Sequence, residues 1–179
     1  MRLFITAVIG VFLSSVFALS HAEDSDLSRL PGYFELADLE SAYGKPSLTI
    51  NLNKSLLKLV GSFEHEDPAV AETLRNLELV RVYAFEDMDE RDNFKKAEQQ
   101  MLELQASLES ASWNRVVEAR DEEERVDIYV KQSDDSIQGL VLMALDGEDA
   151  VFINILGNIQ PQQIASIVKR VDLDLDIPL

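Results

Sequence analysis

The chain has no cysteine, and its 179 residues include only 2 histidines, 1 tryptophan and 16 basic residues against 33 acidic ones. The missing thiols exclude disulfides, thiolate metal sites, cysteine nucleophiles, thiol redox motifs and an acylated amino-terminal anchor, so stability rests on packing alone. With a formal net charge of −17, the chain has too few clustered lysines and arginines for a phosphate-binding face. Nucleic acid and anionic lipid surfaces are therefore not expected as partners, whereas cationic partners and divalent ions are compatible with the charge. Histidine chemistry reduces to His65, because the other histidine, His21, lies in the amino-terminal segment. The neighbours of His65, which are Glu64, Glu66 and Asp67, could hold an imidazolium, yet no Gly-x-Ser-x-Gly elbow or other nucleophile motif accompanies it. A solvated histidine at a helix break is the plainer reading. Internal repeats and low-complexity linkers are also missing.

What is present begins with an export pattern. Arg2 supplies a positive start, residues 3–19 are apolar, and Ser20-His21-Ala22 offers small residues before Glu23 for cleavage. An uncleaved anchor fits less well, since the apolar run is short for a bilayer span and acids follow it. The expected organisation is a signal peptide over 1–22, a flexible acidic tail over 23–29, a single α+β domain over 30–171 and a carboxy-terminal tail over 172–179. The expected location is the periplasm, with no stable membrane insertion after cleavage.

Along the domain the apolar spacing changes period several times. Leu36, Leu39 and Tyr43 predict a helix over 34–43, stopped by Gly44 and Pro46. Leu48, Ile50 and Leu52 alternate as in a strand, and Asn53 can cap a helix carrying Leu56, Val60 and Phe63. Asp67-Pro68 restarts a second helical piece. Residues 79–85 alternate, with Val80, Val82 and Ala84 on one side and Arg81, Tyr83 and Phe85 on the other. Phe94, Ala97, Met101, Leu104, Leu108 and Ala111 mark the longest helix, whose heptad-like stripe suits either a helix on a sheet or a dimer seam. Strands follow over 113–120, 125–131, 137–145 and 150–156, separated by acidic turns. The continuous apolar run over 140–145 fits a central strand covered on both faces. Pro161 opens a last helix with Ile164, Ile167 and Val168 on one face. The order predicts an α+β fold: a largely antiparallel sheet of about six strands with helices packed mainly on one face.

The stretches Leu30-Pro31-Gly32-Tyr33, Ala42-Tyr43-Gly44-Lys45-Pro46, Leu56-Leu57-Lys58-Leu59-Val60 and Val151-Phe152-Ile153-Asn154-Ile155-Leu156-Gly157, the last followed by Ile159-Gln160-Pro161, are familiar by their order and spacing. Together they resemble an exported bacterial family catalogued as domain of unknown function 4252, over residues 30–170. The resemblance implies a protein of the cell envelope and supplies no activity, cofactor or catalytic residue. Gln160 stands where relatives carry an acid before the proline of the last helix, which speaks against an acidic site there.

Candidate sites are correspondingly few. Asp146-Gly147-Glu148-Asp149 is the best of the acidic turns for a divalent cation, with Asp146, Glu148 and Asp149 as ligands. Asp172, Asp174 and Asp176 imitate the start of an EF-hand loop, but Ile177 occupies the glycine position. Tyr83 and Phe85 on one strand, with Tyr129 and Lys131 on another, form an aromatic sheet face with a charged rim. This is either a partner surface or, if helices cover it, core. The reading that follows is a non-catalytic interaction module of the cell envelope, with envelope signalling as one context, an envelope protein as partner and a homodimer as one possibility. The alternative is a periplasmic small-ligand or divalent-cation-binding protein using a cleft between the long helix and the sheet; a carboxylate-based hydrolase ranks last. No cofactor is called for.

Overall fold

The computed structural model describes residues 27–36, 39–63, 68–86, 91–121, 124–133, 136–147 and 149–160. In chain order the elements are α1 (Leu39–Tyr43), β1 (Leu48–Asn53), α2 (Lys54–Phe63), α3 (Pro68–Asn76), β2 (Leu77–Phe85), α4 (Arg91–Ser110), β3 (Asn114–Arg120), β4 (Glu124–Ser133), β5 (Ser136–Asp146) and β6 (Asp149–Ile159). The expected signal peptide, His65, the helix after Pro161 and the aspartates at 172, 174 and 176 lie outside the described residues.

All six strands join one sheet in the order β1-β2-β6-β5-β4-β3. Every pairing is antiparallel. Successive hairpins carry the chain from β3 to β6, and β6 then inserts between β5 and β2. The fold is α+β, as the order of elements predicts. The central position of β5 and β6 explains their composition, because a strand with neighbours on both edges and cover on both faces has no polar side to offer. Val141, Met143 and Leu145 enter one core cluster, while Leu140 and Leu142 enter the other.

The helices divide between the two faces instead of gathering on one. On the first face α1 and α4 place Leu39, Tyr43, Ala97, Met101, Leu104 and Leu108 against Phe85, Tyr129, Met143 and Phe152. Ala97, Met101, Leu104 and Leu108 of the α4 stripe are therefore core and not a dimer seam, while Ala111 is exposed and the Phe94 side chain lies outside what the structure describes. On the second face α2 and α3 place Leu57 and Leu74 against Val80, Val82, Ile153 and Ile155. Asn53 ends β1 and caps α2 at once, its Oδ1 accepting the Leu56 N–H at 3.0 Å. No loop separates the two elements.

The amino-terminal helix is shorter than its apolar spacing predicts. It spans Leu39–Tyr43, and residues 33–36 are not helical. The preceding segment is a strap across the first face. A Cβ on Gly32 would stand 1.9 Å from the Gln138 carbonyl oxygen, and one on Gly139 would stand 2.4 Å from the Gly32 carbonyl oxygen and 2.7 Å from the Trp113 ring. Both crossing points need glycine because the two backbones touch. Phe34 then meets Trp113 edge to face, with 6.0 Å between centroids.

Candidate functional site

The aromatic residues singled out in the sequence do share one face of the sheet, but that face is closed. Phe85 is 1% exposed and Tyr129 is fully buried. Tyr83 is half-buried against the same cluster. Phe85 packs with Tyr43 and Phe152 at 5.2 and 6.1 Å between ring centroids. The open patch of Tyr83, Phe85 and Tyr129 is thus corrected: alternation identified the shared face, and α1 and α4 lie on it.

Lys131 does not rim a binding patch either. Its ammonium donates to the carbonyls of Ala111 and Ser112, the second at 3.2 Å, where α4 ends. It belongs to a row of β4 side chains that hold α4. Arg125 donates to Glu98 at 2.6 Å, Asp127 accepts from Gln105 at 2.6 Å, and Tyr129 donates to Glu109 at 3.2 Å. Asp127 is fully buried, and Arg115 on β3 reaches its other oxygen at 3.4 Å. Burial raises the Asp127 carboxyl above its ordinary range, with Arg115 pulling it back down. Burial likewise pushes the Tyr129 phenol up to about 12.

A second polar group sits on the same face under the strap. Arg81 is 4% exposed. Its guanidinium lies 5.3 Å from the Tyr33 ring centroid, and its Nη1 donates to the Tyr33 hydroxyl at 3.2 Å and stands 3.8 Å from the Glu35 carboxylate. Periodicity does not mark these buried polar residues, since Arg81 and Asp127 occupy the alternate strand positions that solvent-facing residues also occupy.

At the β5–β6 turn Asp146 stands opposite Asp149, and Asp146 is also paired with Glu124 across β4 and β5. Glu148 lies outside the described residues. The fold thus brings the turn acids toward one end of the sheet, and burial followed by the charges of Asp146 and Asp121 raises the Glu124 carboxyl above its ordinary value. Among the described residues no three histidine, cysteine or acidic side chains cluster closely enough to hold a metal ion.

Among the described residues the gap between α4 and the sheet is filled by Ala97, Met101 and Leu108, each without exposed surface. A cleft of about 270 Å³ lies instead at the end of the sheet, between Pro31 and Gly32 of the strap and Glu78, Ser136, Gln138 and Asn158.

The two sheet edges differ sharply. β3 carries a register shift between Arg115 and Val117 and three charged side chains, Arg115, Glu118 and Arg120, linked at 3.2 and 2.6 Å. A bulge and charges are the usual guards against edge pairing. β1, with the sequence LTINLN, has neither: its ladder to β2 runs unbroken from Leu48 opposite Ala84 to Asn53 opposite Leu79. In the strand order β1 stands at one end of the sheet, beyond β2.

Beside this edge lies the outer flank of α2. A Cβ on Gly61 would stand 3.2 Å from the Ala71 carbonyl oxygen and 3.4 Å from Leu74 Cβ, so the Gly61 side of α2 faces α3. Leu56, Leu59 and Phe63 sit within about 40° of the opposite side, from the helical rotation of about 100° per residue. Because α2 lies over β1 and β2 while α3 lies over β2 and β6, that opposite flank faces out past the β1 edge. Leu59 is 46% exposed and Phe63 is 71% exposed.

Residues 44–167 match the model of a family described as a domain of unknown function (DUF4252). The chain belongs to the DUF4252 family. Neither a curated protein nor a solved structure matches it. The DUF4252 match covers every strand and all of α2, α3 and α4, and it begins beyond the strap and α1. Both components of the apolar surface, β1 and the flank of α2, therefore lie inside the family domain.

Proposed function

We propose that this DUF4252 protein is a non-catalytic interaction module, exported to the periplasm, and that the β1 edge with the outer flank of α2 is its docking surface. The observation that carries the reading is the contrast between the guarded edge at β3 and the unguarded, uncharged edge at β1 with exposed Leu59 and Phe63 beside it. An open strand edge offers a row of backbone donors and acceptors, and an adjacent apolar flank adds the burial that makes strand addition selective. The non-catalytic part of the reading draws support from the buried charges of the first face. Arg81 is engaged by Tyr33 and Glu35, and Asp127 by Gln105 and Arg115, which makes them ties between elements.

A photo-activated cross-linking side chain at position 63, introduced in the producing cell, tests the proposal. Cross-links to a discrete protein species are expected from position 63 and not from Glu103, an exposed position on α4. Equal labelling from both positions, or none from 63, would remove the docking surface.

A small-ligand reading has one observation in its favour, the cleft between the strap and the polar side chains of Glu78, Ser136, Gln138 and Asn158. Its volume is near the lower bound for ligand pockets. Native mass spectrometry of the protein as isolated checks it: a retained small molecule supports this reading, and the bare chain mass argues against it.

A further inference from the structure

We infer that the cleft under the strap is a binding site for a small, neutral, polyhydroxylated molecule of the size and chemistry of a single sugar ring. The inference rests on the small-ligand reading of that cleft and is independent of the β1–α2 surface. The sheet is irregular at this spot in a particular way. β6 loses register with both of its neighbours there: the ladder to β2 shifts between Leu77 and Leu79, and the ladder to β5 shifts between Ile137 and Gly139. The residues caught in the two shifts are Glu78 and Gln138, and both line the cleft. Packing shows the same irregularity, because Leu77 and Val80, and likewise Ile137 and Leu140, stand three apart in sequence yet join one cluster of the second face. Regular alternation turns residues three apart to opposite faces.

Between the two shifts lies Gly157, whose φ of 147° falls in the region that favours glycine. A Cβ there would stand 2.6 Å from Leu77 Cα and 2.7 Å from the Asn76 carbonyl oxygen, so this course of β6 is open only to glycine. Bulges re-aim side chains, and both bulges and sparsely populated backbone conformations concentrate beside functional sites. Here two bulges and one such glycine meet at one point of three adjacent strands, with Pro31 and Gly32 of the strap lining the same cleft.

The lining sets the ligand class. Ser136, Gln138 and Asn158 bring a hydroxyl and two carboxamides, groups that both donate and accept, and Glu78 adds a carboxylate that accepts. Neighbouring hydroxyls on a ring match that mixture, since each also donates and accepts and a carboxamide can engage two of them at once. Lys54 donates to Glu78 and answers its charge, so among the lining residues no charge is left unbalanced for an ionic ligand. Leu30, Pro31 and Leu156 supply an apolar surface for the C–H face of the ring. A volume of about 270 Å³, just below the usual range of about 300–1,000 Å³ for ligand sites, holds one ring and not a chain of them.

The test is a heteronuclear NMR titration of the protein, as the cell processes it, with glucose and with N-acetylglucosamine, and with choline and citrate as charged controls. Gln138→Ala/Asn158→Ala, at two positions that keep solvent exposure, is run beside it. Saturable shifts of the Glu78, Gln138 and Gly157 amides in the millimolar range are expected with at least one of the two sugars, and none with choline or citrate. The double variant is expected to bind that sugar at least tenfold more weakly with an unchanged melting temperature. Sugar binding that the double variant keeps in full overturns the inference. If choline or citrate moves these amides and neither sugar does, the ligand class fails while the small-ligand reading stands. If none of the four compounds moves them, the inference is overturned, and a bare chain mass in native mass spectrometry then removes the small-ligand reading as well.

Discussion

Gln105 on α4 donates to Asp127 on β4 at 2.6 Å, and both side chains are buried, at 6% and 0% exposed. This contact and its neighbours along β4 give α4 a fixed position on the sheet. Truncating one partner leaves a polar group stranded in a place that water does not reach, which is more costly than losing the bond itself. Asp127→Ala is expected to lower stability by about 2–3 kcal/mol, and Asp127→Asn, which keeps an acceptor for Gln105, by about 1 kcal/mol. Chemical denaturation of both variants checks the order.

The same carboxyl makes a pH prediction. Its folded-state value is raised above the ordinary 3.8 by burial, so the native state binds the Asp127 proton more tightly than the unfolded state does. The resulting stabilisation is fully present below the unfolded value and fades as pH rises through the folded value. Wild type is therefore expected to gain on Asp127→Asn as the pH is lowered toward 4. A constant difference between the two denaturation profiles would show that the group is not perturbed.

Tyr129 and Tyr43 give the alkaline counterpart. Burial raises both phenols, Tyr129 to about 12 from an ordinary 10.0. Their neutral forms stabilise the fold at neutral pH, and that contribution fades as pH rises from about 10 through the folded values. Tyr129→Phe is expected to lose about 1 kcal/mol at neutral pH with its bond to Glu109, and to lose less stability than wild type between neutral and strongly alkaline pH. Ultraviolet absorbance titration with parallel denaturation curves reads both effects.

Gly139→Ala places a methyl group 2.4 Å from the Gly32 carbonyl oxygen. The obstacle is backbone, so the strap has to move off the sheet. A cost of about 1–3 kcal/mol is expected, the range of overpacked interiors. A melting temperature equal to wild type would mean that the strap is not seated on β5.

Asn53→Ala removes the cap of α2 and is expected to cost about 1 kcal/mol, with Asn53→Asp close to wild type. Thermal melts of the two variants provide the check.

The elements were legible because their apolar spacing is clean: Leu48, Ile50 and Leu52 on β1, and Ala97, Met101, Leu104 and Leu108 on α4, read directly as a strand and a helix. Periodicity also placed Tyr83, Phe85 and Tyr129 on one face. It could not reveal what lies on that face, because cover by α1 and α4 is a long-range choice with no local signature. The insertion of β6 between β2 and β5 is non-local in the same sense. Residues 34–36 were expected to be helical, yet they form part of the strap, whose course is set by two glycines far apart in sequence. The β1–α2 surface was readable only in part. Leu56 and Phe63 were visible as a stripe, but its exposure depends on α3 packing against the Gly61 side.

Photo-activated cross-linking from position 63 in the producing cell tests the docking surface most directly, with the exposed Glu103 as the control position. A discrete cross-linked protein species from position 63, lost when Leu59 is replaced by lysine, and none from position 103 is the predicted result. Equal labelling from both positions, or none from 63, would contradict the account.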